Sequence, residues 1–305
     1  MREIVNTMQS YPYDVMERDI HSLEERYPFL EIGIAGKSVL GRNLYYLRLG
    51  TGPNHVFYNG AHHALEWLTA LLLMKFSENY LESYISNTLL GRCDIQSQWQ
   101  KSSIYILPMV NPDGVDLVLN GLQPDHPYNQ SLLKWNNGRT NFSQVWQANI
   151  HGVDLNHNYD ASWQLSKGAE ASHDIKGPGP TRFSGASPES EPESKAVADF
   201  TRKHDFQLVL AFHSQGRIIY WNYRNLASTR DKEIARCLSR LSGYTLEEAV
   251  GMTSYAGYKD WFIEKFRRPG YTIEIGQGQN PLPISQLGQI YQENEGLLLT
   301  AAQLT

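Results

Sequence analysis

Leu208-Val209-Leu210-Ala211-Phe212-His213-Ser214-Gln215 is a run of apolar residues that closes on a histidine. An apolar stretch of this length, with no polar alternation, is the pattern of a strand buried on both faces of a parallel sheet. The histidine at its end is either a satisfied core or cleft residue or a ligand, since open α/β sheets bind ligands beyond the carboxyl ends of their strands. The extended run itself covers Gln207 to Phe212, and similar runs occur at Leu30 to Ala35, Leu44 to Leu49, His55 to Asn59, Ser103 to Val110, Ile218 to Trp221 and Tyr271 to Ile275. Helical periodicity falls between them, at Tyr13 to Arg26, Glu66 to Tyr84, Ser190 to Lys203, Asp231 to Leu241, Gly257 to Phe266 and Ile284 to Leu304. Strands alternating with helices predict an α/β sheet covered on both faces. The polar, Gly/Asn/Pro-rich region 111–186 lacks a regular pattern and reads as binding loops.

The chain has 305 residues and 41% hydrophobic content, enough for a large core, and its formal net charge is -5. Without long runs of one sign there is no electrostatic footprint for nucleic acid or an anionic membrane. Neither an apolar leader nor a stretch of roughly 20 apolar residues occurs, so a cytoplasmic protein, or one released on lysis, is expected. The two cysteines, Cys93 and Cys237, are too few for a disulfide framework. No repeat or long linker divides the chain, and a single domain over 1–305 is the simplest organisation.

Four residues carry potential chemistry. His63 and Glu66 stand three apart in Gly60-Ala61-His62-His63-Ala64-Leu65-Glu66-Trp67, a spacing that lets both side chains converge if a helical turn forms. The pair alone is a weak signal, and His62 is an alternative ligand. His213 would make a His/Glu/His set, which leaves a coordination position open for water. Glu274, in the apolar run Tyr271-Thr272-Ile273-Glu274-Ile275, is a carboxylate where one is rarely buried without a partner or a task. It is either half of a salt bridge or a general base.

The ordered set His63-x-x-Glu66, Asn111-Pro112-Asp113-Gly114, Gly152-Val153-Asp154-Leu155-Asn156, Ser190-Glu191-Pro192-Glu193, Phe212-His213-Ser214 and Thr272-Ile273-Glu274 resembles the zinc carboxypeptidase family over nearly the whole chain. The resemblance implies an α/β/α three-layer sandwich around a mixed, mostly parallel eight-stranded sheet. It also implies one Zn2+ per chain on His63, Glu66 and His213, and hydrolysis of an amide by zinc-activated water with Glu274 as general base. In that family an arginine of the long loop stabilises the oxyanion; Arg139 is the expected counterpart and Gln147 the alternative. Asn156 matches the asparagine that holds a substrate carboxylate, but His157 replaces the arginine expected beside it. Lys259 falls at the base of the leaving-residue pocket, where a buried ammonium asks for an anion. The family's substrate-covering tyrosine has no clean match: ungapped counting reaches Met252, with Tyr255 and Tyr258 nearby.

Within the family, Asn136-Asn137-Gly138-Arg139, Trp146-Gln147-Ala148-Asn149, Ala256-Gly257-Tyr258-Lys259-Asp260-Trp261 and Gly276-Gln277-Gly278-Gln279-Asn280-Pro281 are similar to the γ-D-glutamyl-L-diamino acid endopeptidases of bacterial peptidoglycan. This implies cleavage between the γ-carboxyl of D-glutamate and meso-diaminopimelate or L-lysine in muropeptides, here without the LysM repeats that many members carry. A general metallocarboxypeptidase is the alternative activity. A catalytically dead wall-fragment binder is the alternative of another class, disfavoured by retention of all three ligands and Glu274.

Overall fold

The structure is a computed structural model and describes residues 3–304, apart from the side chains of Met252 and Thr253. Its large sheet comprises β1 (Glu31–Lys37), β2 (Asn43–Leu49), β3 (Asn54–Gly60), β4 (Ser102–Leu107), β5 (Leu208–Ser214), β6 (Ile218–Tyr220), β7 (Thr245–Glu247) and β8 (Gly270–Ile275). Across the sheet the eight strands run in the order β1-β2-β4-β3-β5-β8-β6-β7. The central strands β4, β3, β5 and β8 are mutually parallel, while β2 pairs antiparallel with β4 and β6 antiparallel with β8. The expected mixed, mostly parallel sheet is therefore present.

Side-chain alternation shows why helices must cover both faces. Val56 and Tyr58 of β3, with Leu208, Leu210 and Phe212 of β5, join one apolar cluster, whereas Phe57, Val209 and Ala211 join the other. Every one of these side chains is essentially inaccessible to water, so neither face tolerates exposure. The first face is covered by α1 (Tyr13–Arg26), α2 (Leu68–Ser86), and two later helices, Thr229–Ser242 and Leu287–Ala301. The opposite face packs against Pro192–Lys203 and Tyr258–Phe266.

Region 111–186 departs from the expectation of structureless loops. It contains the helices Pro112–Asn120, Asn129–Trp135 and Trp163–Glu170. They are short, seven to nine residues each, and Gly114 and Gly168 fall inside two of them; only the first has a side-chain cap. Asn111 caps the first by accepting from the Gly114 amide at 3.0 Å. Its Nδ2 meanwhile donates to the carbonyls of His62 at 3.2 Å and Ala148 at 3.1 Å. One buried asparagine thus starts a helix and ties the long loop to the segment after β3. Thr69, at the start of α2, completes the clamp: it accepts from the Ala61 amide and donates to the Glu66 carbonyl.

Candidate metal centre and active site

Three neighbouring parallel strands deliver the site. β3 ends at Gly60, opposite Phe212 of β5, and Glu274 of β8 is in register with His213. The chain then turns through a 3-10 segment, Ala64–Glu66, before α2 begins, and this single tight turn, rather than the helix predicted from Glu66 onward, brings His63 and Glu66 together. His63 Nδ1 lies 2.9 Å from Glu66 Oε1, and His213 Nδ1 lies 2.9 Å from Oε2 of the same carboxylate. The three ligand atoms all fall within 4.8 Å of one another.

Burial alone would raise the Glu66 carboxyl, but the two imidazoles overcome it and hold the group at about 2. His63 is opposed by burial and raised by Glu66 and Asp154, ending well above the ordinary histidine value. Asp154 lies behind it: Oδ1 is 3.1 Å from His63 Nε2, and Oδ2 accepts from the Arg182 amide at 2.8 Å. A carboxylate on the far nitrogen fixes the ring and directs Nδ1 forward, as the outer shell of a zinc site requires. The donor set of two imidazoles and a carboxylate, converging at the strand ends with this support, fits zinc.

His62 is not part of the set. It is fully buried, with Nε2 2.9 Å from the Tyr159 hydroxyl and its ring stacked on His213 at 5.6 Å. Burial first, then the neighbouring His213 and His63, keep it neutral.

Glu274 makes no ion pair among the described residues, which removes its salt-bridge alternative. Burial, then the Glu66 carboxylate, raises its carboxyl well above the ordinary range. It shares a cleft of about 150 Å³ with His63, Asn156, His157, Lys259 and Asp260. Asn156 uses Oδ1 to accept from the Tyr258 amide at 3.1 Å, so its Nδ2 remains to donate. His157 Nδ1 is 3.1 Å from the Tyr255 carbonyl, which can only accept. Burial, against the opposing pull of Asp154, lowers the His157 pKa. The ring is therefore neutral, protonated on Nδ1, and Nε2 is an acceptor.

A profile of zinc carboxypeptidases matches residues 16–296. The chain belongs to the zinc carboxypeptidase family. It is 41% identical over 301 residues to gamma-D-glutamyl-L-diamino acid endopeptidase 1 of Lysinibacillus sphaericus, covering 99% of this chain and 74% of that protein. It is 35% identical over 293 residues to an uncharacterized protein of Bacillus subtilis, covering 95% of this chain and 77% of the other. Among solved structures, bovine thrombin-activatable fibrinolysis inhibitor superimposes with a TM-score of 0.72 at 22% identity, covering 97% of each chain. Murein-tripeptide amidase of Escherichia coli O157 gives 0.54 at 18% identity, covering 88% of this chain and 91% of that one. The fold is that of a carboxypeptidase, and the chain is a zinc metallopeptidase.

Several expectations of this family's pocket change on the structure. Tyr258 is not a substrate-covering residue: it is fully buried, packed on Phe57, Tyr159 and Trp261, with its hydroxyl 2.9 Å from Thr201. Tyr255 enters through its carbonyl, which orients His157. Met252 lies outside the described side chains. Arg139 is exposed, and no side-chain bond joins it to the cleft among the described residues. Gln147 is better placed: its carbonyl accepts from the Ala64 amide beside His63, and its Oε1 accepts from the Thr181 hydroxyl at 2.6 Å. Nor is Lys259 an unpaired ammonium, because it contacts the Asp260 carboxylate. Sequence reasoning quoted Asp154 and Asp260 within motifs without giving either a task, and no local pattern distinguishes them from surface aspartates.

Proposed function

We propose that this chain hydrolyses the amide between the γ-carboxyl of D-glutamate and the α-amine of a diamino acid in peptidoglycan stem peptides. The observation that carries the proposal is one cleft lined by His63 of the His63/Glu66/His213 centre, by Glu274 and by a neutral His157. Zinc on the three ligands would supply Lewis acidity to the scissile carbonyl and acidify water. Glu274 takes the proton from water and returns it to the departing amine.

His157 favours this substrate over an ordinary peptide end. A guanidinium would hold a terminal carboxylate through two charge-assisted bonds, whereas a neutral ring offering a lone pair would repel it. A leaving residue amide-linked further along the stem avoids that repulsion. The L. sphaericus relative, named for the γ-D-glutamyl-diamino acid bond, supports the same assignment. Incubation of the zinc-loaded protein with L-Ala-γ-D-Glu-diaminopimelate peptides should release products with a new diamino acid amine terminus, identified by mass spectrometry. Efficient release of C-terminal residues from unmodified L-peptides, with the γ-D-glutamyl bond left intact, would show a general carboxypeptidase instead.

Gln147 is the proposed oxyanion donor. With Oε1 occupied by Thr181, its amide is oriented with Nε2 free to donate. Gln147→Ala should lower kcat by about 10²-fold with little change in KM, while Arg139→Ala leaves kcat near wild type. The reverse pattern in steady-state kinetics would return the role to Arg139.

A further inference from the structure

Behind the ligand His63, a short segment of the long loop is clipped to Asp154. The Arg182 amide donates to Asp154 Oδ2 at 2.8 Å, and the Asp154 amide donates to the Phe183 carbonyl at 2.8 Å. These bonds hold Arg182 in the left-handed region, with φ of 65°. An arginine gains nothing locally from that conformation, which costs roughly 1–2 kcal/mol relative to the right-handed one. Such strain persists where the surrounding bonds over-determine the backbone, and here they fix the stem of one side chain next to the metal ligands.

The backbone is pinned and the guanidinium is free. Arg182 is exposed, and among the described residues its side chain has no hydrogen bond, ion pair or ring partner. By contrast, Lys259 contacts Asp260 and Lys167 pairs with Glu170 at 2.9 Å. The Arg182 charge lies within electrostatic range of His157: burial is the first cause that lowers that ring's pKa, and Arg182 adds to it. Yet Arg182 does not line the cleft of Lys259, Asp260 and Glu274. Its chain neighbour Thr181 bonds instead to Gln147, the proposed oxyanion donor, so Arg182 belongs to the wall that meets the acyl half of the substrate.

An acyl group joined through a γ-glutamyl linkage differs from an ordinary peptide in one charge. Its α-carboxylate is free, on a carbon three bonds from the scissile carbonyl carbon, whereas an α-linked peptide fixes no anion on its backbone there. Resting on the proposed cleavage of γ-D-glutamyl bonds, we infer that Arg182 binds this α-carboxylate and selects a γ-linked glutamate that carries it over one whose α-carboxyl is amidated. A planar fork that keeps its charge at every working pH matches the two carboxylate oxygens, while an α-carboxamide offers one acceptor and no charge. The contact forms in the ground state as well as in the transition state, so it acts on KM rather than on kcat.

The test measures kcat and KM of the zinc-loaded protein on L-Ala-γ-D-Glu-diaminopimelate and on the same peptide with an α-carboxamide on its D-glutamyl residue. The carboxylate should be preferred by about 10-fold in kcat/KM, mainly through KM, which is the low end for a charge-assisted bond because the site is open to water. High salt should shrink that preference by screening. In Arg182→Met the ratio should fall toward one, and Arg182→Lys should restore part of it. Arg139→Met, which removes a different exposed arginine, should leave it at the wild-type value. Because each ratio is taken within one protein, reduced folding of a variant does not imitate the result. Equal kcat/KM on the two peptides in the wild type, or a preference that persists in Arg182→Met, would overturn the inference while leaving the bond specificity intact. Failure to cleave either peptide alongside release of C-terminal residues from L-peptides would overturn the proposed bond specificity, and the inference with it.

Discussion

Glu274→Gln should retain a full complement of zinc and lose about 10³-fold in kcat on a γ-D-glutamyl substrate, with KM little altered. The carboxylate stands in register with His213 on the adjacent parallel strand and lines the cleft, yet bonds to neither histidine of the ligand set. Replacing it with an amide of the same shape removes the proton acceptor and leaves the three ligands undisturbed. Burial and the neighbouring Glu66 already disfavour its charge, so a neutral amide costs the fold little. Zinc content by elemental analysis, measured beside single-turnover rates, checks both halves. A variant with wild-type kcat would remove Glu274 as the base, and one that lost zinc would make it a ligand.

His213→Ala should reduce zinc to well below one per chain and lower activity on the order of 10⁴-fold or more, because two donors do not make the site. The substitution also leaves Glu66 Oε2 without its imidazole partner at 2.9 Å. A buried carboxylate that loses one of its two stabilising rings rises in pKa and destabilises the zinc-free protein. Two readouts therefore diverge. Zinc should raise the melting temperature of the wild type through preferential binding to the folded state, and it should have almost no effect on the variant. An equal zinc-dependent rise in both proteins would show that the ion binds elsewhere.

The apolar run from Gln207 to Phe212 was legible as a strand buried on both faces because nothing in it alternates, and the structure extends that strand to Ser214; Val56 to Tyr58 is buried in the same way. The short helices after Asn111 were not legible, since each spans only two turns or so; the first is started by the Asn111 cap and anchored by its long-range bonds to the His62 and Ala148 carbonyls. The ligand set stood between these cases. His63 and Glu66 are close in sequence but ambiguous alone, and His213 joins them only because β3 and β5 pair in parallel and end together.

The pocket shows where local sequence misleads. Tyr258 and Lys259 are adjacent, yet the tyrosine enters the aromatic core beside Thr201 while the lysine turns into the cleft. Residues one apart on a helix ordinarily do not face each other, so nothing in Lys259-Asp260 announces an ion pair. Their contact depends on the entry of the helix at Gly257 and on the Asn222 carbonyl, far away in the chain. His157 is similar: its identity removes a fixed charge, but the Tyr255 carbonyl sets which nitrogen carries the proton.

By itself the sequence determined the α/β class, the strand that ends in His213 and, through the order of its motifs, the resemblance to a family of zinc peptidases. These rest on periodicity and residue type, which are properties of neighbours along the chain. Only the tertiary structure decided that His62 is excluded from the ligand set, that Asp154 orients His63, that His157 offers an acceptor, and that Lys259 already has an anion beside it. Each of those depends on which buried polar group meets which, and the low-dielectric interior makes every such pairing or omission costly enough to fix the chemistry of the site.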